Sequence, residues 1–441
     1  MQEYKFIMRL ALPAIFEMIL HMMVGLVDIA MVGRLGADSL TAVSLGGNFI
    51  YTTIFLFAAV GIGAGAIVAR AIGAQNMEEA SRITGQALTL AALIGVLVGG
   101  LTWYFAPAIF NIFAPNIVVK ELGIEYLRIL SLSSIFLLVL LVGESACRSA
   151  GFTKIPLKVA MVGNTVNIVL NYVLIFGKLG FPTLGVKGAA IGTFVSFTTS
   201  CCIILFVLAS GKIPIKITKG HLLKIRKIDF KRIVRLTVPA GGEELVRAGS
   251  QIAGVYLIIG LGSVPYAAHQ VALAIESMSF MPGYGFAIAG ATLVGQNLGS
   301  LNPDKAQRLA FKTMYLAMAT MTTAAFIFFF LSEPVVRIFT TDENIIPIAA
   351  SVVQIAAFAQ TAVATEMTMA GALRGAGDTR FPLYLSLLGN WFIRLPLFYV
   401  ALRIFNMGLE AVWWITAFQW LLIATIALWR FNQAKWKKIE V

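Results

Sequence analysis

The chain has 441 residues, 59% of them hydrophobic before its 40 glycines are counted and only 12% charged, about half the charge of a water-soluble domain. With no polar coat to face water, a soluble enzyme, a disulfide scaffold and a disordered regulator are excluded. The formal charge of +13 would raise nucleic acid as a partner, but the bases lie between apolar runs without interleaved aromatics, so they report membrane topology instead.

From the N-terminus, residues 1–29 have the apolarity of a signal peptide, but Glu17 interrupts the run and no A-x-A site closes it, so the segment is expected to stay as the first span. Apolar runs predict spans at 9–32, 43–72, 84–107, 120–144, 157–177 and 186–210, then at 233–260, 266–296, 309–332, 345–372, 383–403 and 408–429. The expected fold is an all-α integral membrane protein with twelve transmembrane helices in two six-helix bundles. The division is a first bundle over 1–210, a basic linker over 211–232, a second bundle over 233–430 and a tail over 431–441. Bases cluster in the linker, in the tail and in loops that follow even-numbered spans, which predicts cytoplasmic linker, tail and termini. Cys147, Cys201 and Cys202 offer neither a disulfide framework nor metal-ligand spacing and read as packing residues.

An internal repeat relates the halves at a fixed spacing of 226 residues without a gap. Pro13 falls on Pro239, Glu17 on Glu243, Gly36 on Gly262, Asn76 on Asn302, Arg148 on Arg374 and Gly151 on Gly377. Chance similarity of apolar helices would match Leu and Val, whereas these are Pro, Gly, Asn and charged residues at corners. Six spans per copy is an even number, so both copies start on the same side of the membrane, a transporter architecture.

An ionisable group inside a span costs about 2.5–3.5 kcal/mol on insertion scales and needs a partner or a job. Glu17, His21 and Asp28 share one stripe of the first span, and Asn164, Asn167 and Asn171 share one stripe of the fifth. Three carboxamides are either interhelical glue or, opposite a carboxylate, an all-oxygen set for Na⁺ or for a protonatable Asp. In the seventh span Glu243 and Arg247 stand at i, i+4 beside Glu244, while Glu276, Glu366 and Arg394 lie in the eighth, tenth and eleventh spans, so a buried charge network is expected. No GxxxxGK[ST] loop supports ATP hydrolysis, and no GxSxG or HExxH supports an enzyme, which leaves an ion gradient as the drive. GIGAG at 61–65 reads as close helix packing.

Five segments carry a resemblance along the whole chain: P-x14-D-x4-G-x-LG (Pro13, Asp28, Gly33, Leu35, Gly36), AAHQVA at 267–272, FMPGYG at 280–285, VGQNLG at 294–299 and ALRGAGDT at 372–379. With them the sequence resembles the MATE family, the multidrug and toxic compound extrusion antiporters. The resemblance implies a prokaryotic inner-membrane exporter of amphipathic, mostly cationic organic compounds in exchange for Na⁺ or H⁺ by alternating access. It implies a monomer that needs no cofactor beyond the coupling ion and has the bilayer and small organic cations or drugs as partners. The family's coupling-ion site, an Asp of the first span with polar residues of the fifth and sixth, falls on Asp28, Asn167, Asn171 and Thr193. Some relatives have Asp where Asn171 stands, so this site holds one carboxylate fewer. Other branches use carboxylates of the second bundle, onto which Glu243 or Glu244, Glu276 and Glu366 map, with Arg247 where some relatives place an acid. Glu17, His21, Arg247 and Arg394 complete the expected substrate-cavity or charge-network set. The alternative, a flippase of lipid-linked oligosaccharides in the same wider superfamily, would need a strongly cationic cavity, whereas the embedded groups read from the sequence are mostly acidic.

Overall fold

The structure, a computed structural model, describes residues 2–224 and 226–441. It contains helices and no strand among the described residues, as a bilayer requires of backbone polar groups that must be satisfied within the segment. The first half comprises α1 (Gln2–Gly33), α2 (Ala37–Gly73), α3 (Met77–Phe113), α4 (Ile117–Ser131), α5 (Ser134–Ser149), α6 (Lys154–Phe176) and α7 (Gly185–Ser210). After the short α8 (Lys219–Leu223) come α9 (Lys227–Ile259), α10 (Ser263–Gly299), α11 (Pro303–Phe330), the short α12 (Ser332–Phe339) and α13 (Ile346–Gly375). A long helix over residues 380–404 contains α14 (Arg380–Leu387) and α15 (Leu395–Tyr399), and α16 (Leu409–Asn432) closes the chain.

Ten of these helices are long and apolar enough to cross a membrane. The eleventh span is the pair α4 and α5, bent by 48°. The twelfth is α9, whose 33 residues include Glu243, Glu244 and Arg247 and so lack an unbroken apolar window. At 1.5 Å per residue the 37-residue α2 and α10 are each about 55 Å long, well beyond a hydrocarbon core of about 30 Å, so their ends project from it.

The repeat persists in the backbone. Gly36 (φ 110°) and Gly262 (φ 103°) precede α2 and α10 in a conformation that L side chains avoid. Asn76 and Asn302 then cap α3 and α11, each accepting from the backbone N–H three residues on. In the stretch GIGAG, a side chain on Gly61 or Gly65 would press on Ser145 or Ser149 of α5, and Ser145 Oγ donates to the Gly61 carbonyl at 2.7 Å, as close helix packing requires.

Packing divides the chain into two units: residues 16–237, and residues 1–15 together with 238–441. The boundaries differ from those read along the repeat. Residues 2–15 of α1 pack with the second half, where Lys312 and Arg308 both bond to Glu3. The linker packs with the first half. Gln86 of α3 donates to the carbonyls of His221 (3.0 Å) and Lys224 (2.8 Å) and accepts from the backbone N–H of Arg226 (3.1 Å). Arg82 and Glu79 of α3 pair with Asp229 and Arg232 at 2.7 Å each. Ile225, inside the linker, lies outside the described residues. The tail is also held: Trp436 is fully buried and stacks on Phe431 with ring centroids 4.6 Å apart.

In the long helix over 380–404 the backbone widens into π-helical turns at Leu388–Arg394 and Val400–Ile404. Pro396, which has no N–H to donate, stands between them. The first of these turns carries Asn390 and Arg394 to a cavity of the second unit.

Candidate functional site

Within the first unit Asp28, Asn167, Asn171 and Thr193 come together from α1, α6 and α7. Asn171 Nδ2 donates to Asp28 Oδ1 at 2.7 Å and also lies 3.2 Å from Asn167 Oδ1, while Asn167 Nδ2 donates to Thr193 Oγ1 at 3.3 Å. The two asparagines and Thr193 are buried, and Asp28 is half-buried. A side-chain amide donates here where a second carboxylate would repel, so one negative charge is solvated by fixed dipoles. Gly192 makes the room: a Cβ there would stand 2.1 Å from Asn171 Oδ1, a buried acceptor without a hydrogen bond. Asn164, the third member of the amide stripe, is spent on the backbone of α1, donating to the Leu20 carbonyl at 2.9 Å.

Sequence reasoning passed over Tyr51 and Tyr126, which lie within electrostatic reach of Asp28. A polar-tipped aromatic in an apolar span is the signal that could have found them. The arrangement offers one carboxylate, carboxamide and hydroxyl oxygens and nearby phenols: hard-oxygen chemistry suited to a proton or a monovalent cation.

Glu17 and His21 share the stripe of Asp28 but belong to a different cluster. Glu17 pairs with Arg148 of α5 at 2.5 Å, and Glu144 stands 3.7 Å from the same guanidinium nitrogen. Both belong to the first unit, in which α1 packs from Phe16 onward.

In the second unit Glu243 accepts from Arg247 at 2.8 Å and from Arg374 at 2.5 Å. Glu244 stands 3.9 Å from Arg247 and is partly exposed. Glu243, Glu276 and Glu366 line a cavity of about 340 Å³ together with Arg247, Arg374 and Arg394, among aromatics that include Phe280, Trp413 and Trp420. Arg394 donates to Ser250 at 2.8 Å, and Arg247 to the Tyr284 hydroxyl at 3.1 Å. This corrects the expectation of mostly acidic embedded groups, since the cavity carries three carboxylates and three guanidiniums. Arg374 makes the difference: it lies just past the predicted span 345–372, but α13 runs on to Gly375 and its last turn brings Arg374 to the cavity.

Comparison with known proteins agrees with the repeat. A family model described as MatE matches residues 13–173 and again 239–400. The probable multidrug resistance protein NorM of Thermotoga maritima is 31% identical over 439 residues, covering 99% of this chain and 94% of that protein. The multidrug resistance protein PmpM of Pseudomonas aeruginosa is 29% identical over 417 residues, covering 90% of this chain and 83% of that one. Among solved structures, a MOP-superfamily transporter from Pyrococcus furiosus has a TM-score of 0.91 at 23% identity, covering 99% of this chain and 97% of that one.

Proposed function

Because the chain belongs to the MatE family, we propose that it is a secondary active multidrug efflux transporter, exporting amphipathic, mostly cationic organic compounds in exchange for Na⁺ or H⁺ by alternating access. The observation that carries the reading is the polar chain from Asp28 through Asn171 and Asn167 to Thr193, set in apolar helices. A charged acid inside a span is expensive, and neutralising it with Na⁺ or H⁺ removes the charge that must be solvated. A single ion that binds one arrangement of the transporter tenfold better than another shifts their balance by about 1.4 kcal/mol, so the arrangements must be close in energy for exchange to work. In the second unit, Glu276 and Glu366 with the cavity aromatics supply charge attraction and cation–π contacts for cationic drugs. The protein then resides as a monomer in the inner membrane of a prokaryotic cell, with linker and both termini cytoplasmic.

The test is cationic-dye export from proteoliposomes under an imposed Na⁺ gradient and, separately, a pH gradient. We expect one gradient to drive export, and Asp28→Asn to abolish it while the protein remains folded in the membrane. Wild-type rates in Asp28→Asn would reduce Asp28 to interhelical glue.

The three guanidiniums of the cavity favour a second reading, a flippase of anionic lipid-linked substrates. Two of the three are already paired with Glu243, which weakens it. Flipping of such a lipid without any imposed gradient would establish it.

A further inference from the structure

The two halves solve the same buried-charge problem in opposite ways. At the spacing of 226 residues, Glu17, His21, Glu144 and Arg148 correspond to Glu243, Arg247, Ala370 and Arg374. The ion pair itself is repeated, Glu17 with Arg148 and Glu243 with Arg374. In the second half Glu243 bonds two guanidiniums, and Glu366, which lines the same cavity, stands within electrostatic reach of both, so two carboxylates face two guanidiniums. Both Glu243 oxygens accept hydrogen bonds, Oε1 from Arg247 and Arg374 and Oε2 from Arg374 Nε at 3.3 Å. In the first half the second guanidinium is replaced by the imidazole of His21, and Ala370 by Glu144, so two carboxylates share Arg148.

With both carboxylates ionised and His21 neutral, the first cluster carries an excess negative charge. Glu17 is 0% and Glu144 1% exposed, and the Glu17 Oε2 and Glu144 Oε1 atoms have no hydrogen-bond donor. One carboxylate oxygen each of Glu17 and Glu144 and one ring nitrogen of His21 lie within 4.8 Å of one another, so the two acids and the imidazole form one cluster. Two buried acceptors and an uncancelled charge call for one positive ligand.

The chemistry selects which one. Na⁺ prefers a shell of several oxygens, whereas this cluster offers an imidazole nitrogen and two carboxylates, one already occupied on Oε1 by Arg148. A divalent ion would stand beside that guanidinium and be repelled by it. A single proton meets the need, because protonating one carboxylate gives this all-acceptor pair an O–H donor and cancels the excess charge. Cys147, buried one residue before Arg148 on α5, is the other titratable group of that turn. His21 is the partly accessible member, and its imidazole is the group suited to passing the proton between the cluster and water.

We propose that Glu17, Glu144 and His21 form a proton-binding site in the first unit, separate from Asp28, with one proton held between the two carboxylates and exchanged through His21. Asp28 lies eleven residues along α1 from Glu17, about 16 Å at the helical rise, and has its own partners.

Infrared pH titration of the purified full-length protein reads protonated carboxyl groups directly. The wild type should show a protonated-carboxyl absorption at neutral pH, and Glu144→Gln should lose one equivalent of it, because the amide then donates to an ionised Glu17. Asp28→Asn should keep that equivalent, so failure of Asp28 as the coupling acid and failure of this site give different results. If Glu144→Gln does not fold, the pair His21→Arg with Glu144→Ala gives Glu17 the two guanidinium partners that Glu243 has, and it too should lose the equivalent. The proposal is overturned if the absorption is absent from the wild type, or if it survives in these variants. It is likewise overturned if Na⁺ or Zn²⁺ abolishes the Glu144-dependent equivalent, which would make the cluster a metal site.

Discussion

Gly192 packs directly against the side-chain amide of Asn171. A methyl group at position 192 would meet the amide oxygen at 2.1 Å, and Asn171 is the residue that bonds Asp28. Gly192→Ala should therefore push the amide off the carboxylate and cost about 1–3 kcal/mol, the usual range for overpacking. We expect its gradient-driven export to fall to the level of Asp28→Asn, with folding judged by size-exclusion profile. Near-normal export in Gly192→Ala would mean that the amide does not set the properties of the acid. Asp28 and the amide stripe were legible in the sequence because a lone acid or amide in an apolar helix stands out by composition alone. The role of Gly192 was not, because a glycine in a transmembrane helix has many uses and only the packed neighbour reveals which.

The same contrast holds between elements. Corners were legible, since Gly36, Gly262, Asn76 and Asn302 act through backbone conformation and capping, which are local. Pairing across helices was not: Glu17 bonds Arg148 of α5 rather than His21 of its own stripe, although the joint repetition of Glu17 with Glu243 and Arg148 with Arg374 was a usable signal. Removing one member of such a pair strands a buried charge, at a cost of about 3–5 kcal/mol. Arg374→Ala should accordingly lower the temperature at which the detergent-solubilised protein aggregates, and Glu243→Gln should lower it too because Arg247 and Arg374 then lose the negative charge they share and one of its two acceptor oxygens. Docking of the linker was hidden for another reason: Gln86 recognises backbone groups, which carry no sequence signature. Each bond contributes about 0.5–1.5 kcal/mol, so Gln86→Ala should release α8 and make residues 211–226 a protease target that the wild type protects.

For the whole molecule, the number of spans and the repeat followed from hydropathy and corners, whereas the edges of the packed units did not, because they fall inside α1 and α9 rather than in loops. Both breaks lie within a turn of a repeated proline, Pro13 or Pro239, where a helix lacks one of its own hydrogen bonds. Topology remains the most direct global test. Lys219 is exposed in the linker, whereas His221 is tucked against Glu78 at 3.2 Å. In a background lacking Cys147, Cys201 and Cys202, Lys219→Cys should resist an impermeant thiol reagent added outside intact cells and react once the membrane is opened. Labelling from outside would invert the orientation.

The division of α1 also sets a schedule for biosynthesis. Residues 1–15 leave the ribosome before 16–237, yet they pack with 238–441, so they must wait while 16–237 is made, roughly 10 to 45 s at about 5–20 residues per second. The first unit likewise stays open until residues 227–237 of α9 have been translated. A gene cut between codons 226 and 227 would give two fragments, each holding a strip of the other's fold. Either fragment alone should be degraded, and co-expression of both should restore a stable protein.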